Sequence, residues 1–166
     1  KWFYVEMLYS IDSGYPIQAV PRWTEEHFTL PRGKKMKIIL AFQIFSQSAA
    51  AAMRFYVERS QMPSEALQTA QFLETVNAMW DFVDSHDLNA PLGKKPVTAK
   101  DFDSDMARFQ SFIEFAKTWK FMKNNKVTHL PSHKGWILCL SAMMQLCIEL
   151  IQEKKLMSFI CLRKCN

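Results

Sequence analysis

The stretch LPRGKKMKIILAFQIFSQSAAAA, residues Leu30–Ala52, is the most informative part of the sequence for the fold. It continues as a mostly apolar tract as far as Val57, without a glycine or proline after Gly33. A helix that is apolar on nearly all sides is buried in the centre of a domain. We therefore predict one long, central helix from Lys34 to about Arg59.

Three lysines, Lys34, Lys35 and Lys37, stand at the start of this predicted helix. The amino end of a helix already carries partial positive charge and N–H groups without intrahelical partners, so lysines there oppose the helix dipole. Two interpretations remain open. The lysines are solvated surface residues, or they form an anion site in which phosphate oxygens meet lysine side chains and helix N–H groups.

The next predicted helix, about Glu65–Asp84, has the opposite irregularity at its other end. Asp81 and Asp84 lie in its last turns, where acidic residues are unfavourable. Asn77, Asp81 and Asp84 follow the spacing i, i+4 and i+7 and share a face. Either the acids pair with the lysines of the first helix, or a polar ligand lies between the two ends. A carboxylate can accept two N–H bonds from a guanine edge, and Trp80 is either a stacking surface or a core residue.

The whole sequence fits a mainly α domain. The 166 residues include 49% hydrophobic residues and only four glycines, which excludes a disordered chain and argues against a turn-rich β-sandwich. Two further helices are predicted, over about Asp101–Lys123 and His133–Lys154. Strands are predicted at Trp2–Tyr9 and Leu156–Leu162, from their aromatic and β-branched residues. Strands at both ends of a helical body suggest an insertion into a larger sheet.

Composition also limits the chemistry. A net charge of +5 permits an anionic partner without requiring one. The longest uncharged runs, Ile38–Met53 and Gly135–Ile148, are shorter than a membrane span, so no membrane association is expected. No signal peptide is recognised, and the four cysteines, which include Cys161 and Cys165, form no CxxC pair. We predict neither a metal site nor a nucleophile–histidine pair, and Phe28 stands where a Walker loop requires a glycine.

Several phrases of the sequence resemble the P-element family of DNA transposases and their THAP-domain relatives. PRWTEEH at Pro21–His27 and KMKIILAFQIFSQSA at Lys35–Ala49 are similar to the family phrases P-K-L-T-x-x-H and K-M-(K/R)-V-x-L-A-x-Q-V-x-S-x-S-V-A. TAQFLETVNAMWDFVDS, at Thr69–Ser85, resembles T-A-x-F-(I/L)-x-x-x-x-x-L-F-D-x-x-N-S. SFICLRKCN, at Ser158–Asn166, resembles the strand that precedes the family's last acidic segment.

The resemblance implies an RNase H-like catalytic core with a helical, GTP-binding domain inserted before the third catalytic acid. The implied domains are a core strand at 1–11, the GTP-binding insertion domain at 12–154 and a returning core strand at 155–166. The residues that it implies for GTP binding are Lys37, Ile38, Ser46, Trp80, Asp81 and Asp84, with Lys34 and Lys35 as further phosphate contacts. The family usually has Phe at the position of Trp80 and Asn at that of Asp84.

The resemblance further implies GTP and Mg²⁺ as cofactors, transposon-end DNA as a partner through the full-length protein, homo-oligomers and a nuclear location. GTP would act as a ligand that is not hydrolysed and would support transposon-end synapsis and strand transfer. The catalytic acids lie outside this chain, so it is not expected to be an enzyme by itself. The alternative is a helical module that docks DNA or protein without a nucleotide, for example through the basic segment LGKKPVTAKD, residues Leu92–Asp101.

Overall fold

A helix, α1 (Trp2–Asp12), occupies the segment for which the sequence predicts a strand. Its buried residues are Tyr4, Val5, Leu8 and Asp12, which follow the spacing of one helical face. The predicted core strand over residues 1–11 is therefore wrong. Aromatic and β-branched residues favour strands only weakly, and here the burial of one helical face overrides that preference.

The predicted long helix is two helices. In the computed structural model, which describes residues 1–29, 37–85, 89, 94–123 and 126–159, α2 spans Ile38–Ile44 and α3 spans Gln47–Glu58. The chain leaves helical geometry at Phe45 (φ −81°, ψ 65°) and is extended at Ser46 (φ −124°, ψ 153°). Ser46 then caps α3, because its Oγ accepts a hydrogen bond from the Ala49 amide at 3.2 Å. The prediction of one continuous helix is wrong.

Only the second of these helices is central. α3 buries Ala49, Ala50, Ala52, Met53 and Tyr56 in the core, as predicted for this part of the tract. In contrast, Ile38 and Ile39 at the start of α2 are 56% and 58% exposed. The prediction of a helix buried on nearly all sides is therefore wrong for α2, which lies at the surface.

The chain divides into two units, Lys1–Asp81 and Phe82–Asn166. In the first unit, α1, α3 and most of α4 (Ala66–Val83) enclose one hydrophobic core. A short 3₁₀ turn, Glu25–His27, follows the predicted cap residue Thr24. α4 confirms the second predicted helix, although its buried positions include Met79 rather than Trp80, which is half-buried.

A buried carboxylate fixes the first loop of this unit. Asp12 is 1% exposed and accepts hydrogen bonds from the amides of Ala19 and Val20 and from the Tyr56 hydroxyl, at 2.8, 3.0 and 2.8 Å. Burial, and then the hydrogen bond to Asp12, raises the pKa of Tyr56 to about 12. This network ties the end of α1 to α3 across the loop.

In the part of the second unit that the structure describes, the last residues of α4 are followed by two α-helices and four short strands. α5 (Phe102–Lys117) and α6 (Pro131–Cys147) confirm the remaining predicted helices. α5 ends earlier than predicted, because a hairpin of β2 (Phe121–Lys123) and β3 (Lys126–Thr128) follows it. α6 continues into a π-helical segment, Ile148–Glu153, and its N-cap residue is Leu130.

A short strand, β4 (Ser158–Phe159), confirms part of the predicted terminal strand. It pairs antiparallel with β1 (Val97–Thr98), in the register Val97 opposite Phe159. β1 belongs to the basic segment Leu92–Asp101. The remaining residues, 160–166, lie outside the described part, and an RNase H-like sheet remains a prediction.

Two helical stretches, Ile38–Glu58 and Pro131–Glu153, are long and apolar enough to cross a membrane by length and composition alone. The first is interrupted at Phe45 and Ser46, as described above. Cys139 is exposed, whereas Cys147 is buried. Cys161 and Cys165 lie outside the described residues.

Candidate functional site

An aromatic contact in the first unit joins the two helix segments that the sequence selects. The ring centroids of Phe42, on α2, and Trp80, near the end of α4, lie 4.4 Å apart with an interplanar angle of 60°. Ile38 and Phe42 are four residues apart, so both lie on the same face of α2. The helix that begins after Lys37 therefore packs against the helix end that carries Trp80 and Asp81.

Asp81 is held in place from within its own helix. The Asn77 side-chain amide donates a hydrogen bond to Asp81 Oδ2 at 2.8 Å. This is the i, i+4 relationship that the sequence predicts for these two residues. This bond orients the carboxylate of Asp81.

Lys37 is the N-cap residue of α2, and its side chain makes no capping hydrogen bond. The first turn of α2 contains no acidic residue, so the unfavourable charge predicted at this end is present. Lys37 Nζ lies 3.6 Å from Glu26 Oε2, and both side chains are about half exposed. Exposed pairs of this kind contribute about 0–1 kcal/mol, so Glu26 orients the ammonium without neutralising it strongly.

Ser46 lies at the other end of α2 and lines an open cleft of about 370 Å³. The cleft is bounded by the loop before the 3₁₀ turn and by one side of α2 and the start of α3; its lining includes Arg22, Trp23, Ile39, Phe42, Gln43 and Ser48. Phe42 thus lies both beside the cleft and against Trp80. Since α2 has seven residues at 1.5 Å each, about 10 Å separates its two ends.

The other predicted residues are less well placed by the structure. Asp84 follows α4 and belongs to the second unit, so its part in the site remains a prediction. Lys34 and Lys35 lie outside the described residues. Among the described residues, Lys37 and Ile38 lie at the start of α2, Trp80 and Asp81 lie near the end of α4, and Ser46 follows the far end of α2. Their common part in a GTP site stays a prediction.

Sequence reasoning missed the residues that hold α2 in place. His27 Nε2 lies 2.7 Å from Gln43 Oε1, and Trp23 Nε1 donates to the Gln43 carbonyl oxygen at 2.8 Å. Neither contact has a local signal, because the partners are 16 and 20 residues apart. The spacing of four residues from Ile38 places Phe42 on the same face of α2. Nothing in the sequence distinguishes Phe42 from the other apolar residues of the tract, however.

The matched family adds to this geometry. A family model described as "TNP-like, GTP-binding insertion domain" matches residues 1–96, which include α2 and the whole of α4. The chain belongs to this family. The match confirms the resemblance that the sequence phrases indicate.

A solved structure has a similar fold. The chain of the "Drosophila P element transposase strand transfer complex" superposes on this TNP-like domain with a TM-score of 0.80 at 19% sequence identity. The superposition covers 95% of this chain and 35% of that one, so the domain spans about a third of the length of its structural neighbour. No curated protein sequence matches the chain. The fold is therefore that of a segment of a transposase chain.

Proposed function

We propose that this chain binds GTP between α2 and the end of α4, as the insertion domain of a P-element-like transposase. The observation that carries the proposal is the contact between Phe42 and Trp80. It places the cationic start of one helix and the acidic end of another on elements that pack directly together. Family membership supports guanine nucleotide as the ligand.

The phosphates would meet Lys37. Its ammonium is half exposed, and its pairing with Glu26 is weak enough for a triphosphate to compete for it. Ile38 follows it with a side chain that is 56% exposed, so the start of α2 is open to a ligand. Ser46, in the cleft at the far end of α2, would supply a hydroxyl.

The base would meet the end of α4. The carboxylate of Asp81, oriented by Asn77, can accept the two N–H groups on the guanine edge. An adenine does not offer this pair of donors, so the arrangement favours GTP over ATP. Trp80 is half-buried, with one side against Phe42, and would flank the base. Asp84 and the two further lysines, Lys34 and Lys35, belong to the same proposal.

The role of the parent protein is also part of the proposal. GTP would be a ligand that is not hydrolysed and that supports synapsis of transposon ends and strand transfer. Mg²⁺ would accompany the nucleotide phosphates and the catalytic core of the parent protein, which would cleave and join DNA. DNA would be a partner of the full-length protein, which would be a nuclear homo-oligomer.

Titration with GTP and ATP, with and without Mg²⁺, tests the proposal. We expect the chain to prefer GTP and Asp81→Ala to abolish that preference, weakening GTP by about 10- to 100-fold, since hydrogen bonds to charged groups are lost. Lys37→Ala should weaken both nucleotides alike. Asp103→Ala and Lys100→Ala, at exposed positions of the second unit, should change neither.

Two results would contradict the proposal. If the wild-type chain bound neither nucleotide, the alternative of a docking module without a nucleotide would be favoured. If Asp81→Ala bound GTP as tightly as the wild type, the assignment of Asp81 to the guanine edge would be wrong.

A further inference from the structure

α2 cannot hold its own position. It has seven residues, fewer than the 12–15 or so that an isolated helix needs to persist in water. Its N-cap makes no side-chain hydrogen bond, and Ile44 is its one buried residue. Contacts from elsewhere in the unit must therefore fix α2 against α4.

The 3₁₀ turn provides such a contact through a histidine. His27 is 4% exposed, and its Nδ1 accepts a hydrogen bond from the Thr24 amide at 3.0 Å. The same ring nitrogen lies 3.1 Å from the Thr24 carbonyl oxygen. The other ring nitrogen, Nε2, lies 2.7 Å from Gln43 Oε1, on α2. The contacts of Nδ1 with Thr24 thus hold the ring in the orientation in which Nε2 meets α2.

The same short segment contacts α2 at both ends. The Trp23 indole N–H donates to the Gln43 carbonyl oxygen at 2.8 Å. At the amino end, Glu26 lies 3.6 Å from the ammonium of Lys37. The contacts made by His27 and Trp23, whose side chains are each 4% exposed, are better shielded from water than the exposed pair of Lys37 and Glu26. Of these two, the contact of His27 is the one that joins two side chains.

We propose that His27 is a positioning residue for the nucleotide site. Its bond to Gln43 holds α2 in the orientation in which Phe42 packs on Trp80 and Lys37 stands at the phosphate end. This inference rests on the proposed GTP function. His27 does not touch the nucleotide and acts through Gln43.

Two substitutions at the same position separate positioning from general packing. A glutamine side chain places an N–H donor near the position of Nε2, whereas an asparagine places its amide near Nδ1. We expect His27→Gln to bind GTP within about 2-fold of the wild type and His27→Asn to bind about 3- to 10-fold more weakly, the worth of one hydrogen bond. Equal binding by the two variants would overturn the proposal.

The partner residue provides an independent variant. Gln43→Met keeps the shape of the side chain and removes the acceptor, so it should weaken GTP as much as His27→Asn does. The double variant should be no weaker than either single one, because both remove the same bond. Additive losses would contradict the proposal. Tyr56→Phe, which removes a hydrogen bond of the same unit away from α2, should lower stability and leave GTP affinity unchanged.

Hydrogen exchange distinguishes failure of this proposal from failure of the proposed function. Without any nucleotide, His27→Asn should speed exchange of the α2 amides relative to those of α3, and His27→Gln should not. If the wild type bound no GTP, the proposed function would fail while this comparison still decided whether His27 holds α2. Unchanged exchange in α2 would overturn the positioning role.

Discussion

The rings of Phe42 and Trp80 lie in contact, with centroids 4.4 Å apart, although one belongs to a surface helix and the other to the last turns of a core helix. This contact joins the short helix α2 to α4. It also gives the acidic end of α4 a defined relation to the start of α2. The candidate site depends on it more than on any direct pairing of lysine with aspartate.

Removing the Phe42 ring should therefore loosen both the fold and the site. We expect Phe42→Ala to lower the free energy of unfolding by about 1–3 kcal/mol, less than for a fully buried phenylalanine because the residue is half-buried. GTP affinity should fall with it. Phe55→Ala on α3, where the ring is 43% exposed, is the matched control. Equal effects on GTP affinity from both substitutions would contradict the role of Phe42.

Ser46 combines two roles that substitution can separate. As the N-cap of α3 its hydroxyl accepts the Ala49 amide, so Ser46→Ala should cost about 0.5–2 kcal/mol of stability and Ser46→Gly only a few tenths. If the hydroxyl also contacts GTP, both variants should weaken GTP equally. Urea denaturation and nucleotide titration measure the two effects. If GTP affinity fell in Ser46→Ala and not in Ser46→Gly, in parallel with stability, Ser46 would act only as the N-cap of α3.

The Tyr56 hydroxyl predicts a specific alkaline response. Its pKa is raised from 10.0 to about 12 in the folded chain, so the protonated form stabilises the fold. That contribution is complete below pH 10 and is lost as the pH rises through 12. At neutral pH, Tyr56→Phe should cost about 1–3 kcal/mol, since Asp12 loses a donor while buried. The difference between wild type and variant in denaturation should shrink at high pH; a constant difference would contradict this account.

Asp105 predicts a response of the same sign at acid pH. Burial raises the pKa of its carboxyl from 3.8, and the charge of Arg108 only partly offsets this. A raised pKa means that the neutral form favours folding, so this contribution is present below pH 3.8 and is lost as the pH rises through the folded pKa. Asp105→Asn should therefore be slightly more stable than the wild type at pH 7 and no different at pH 3.

Asp103→Asn is the control for that measurement. Asp103 is exposed in the first turn of α5, where a negative charge favours the helix dipole. Its replacement should cost about 0.3–1 kcal/mol at pH 7. A gain of stability from both variants at neutral pH would indicate a general effect of removing acids rather than the burial of Asp105.

The helices with a clear apolar stripe could be predicted from the sequence. α4, α5 and α6 are present because repeats of three and four residues select one buried face. The strand predicted at Trp2–Tyr9 is wrong, because the residues of this segment prefer strands locally, whereas the burial of Tyr4 and Leu8 on one face requires a helix. The break before α3 has one local signal, a serine ahead of a run of alanines, which is a favoured N-cap arrangement.

The site itself stays a prediction. Misplaced charge at Lys37 and Asp81 selects α2 and α4, and the rings of Phe42 and Trp80 join these two helices. The means of contact could not be predicted, because Phe42 and Gln43 are ordinary members of an apolar tract. Their importance comes from partners far away in the chain, and only the folded unit makes those pairs visible.

The break between α2 and α3, at Phe45 and Ser46, lies beside a hydrogen bond from a residue outside the apolar tract. In an uninterrupted helix, the Gln43 carbonyl oxygen would accept the amide of Gln47; here it accepts the indole N–H of Trp23. Unbent, the 21 residues Ile38–Glu58 would form a rod about 30 Å long, which matches the thickness of a bilayer interior. The indole N–H of Trp23 therefore helps to keep this apolar segment divided into two short helices of a folded domain.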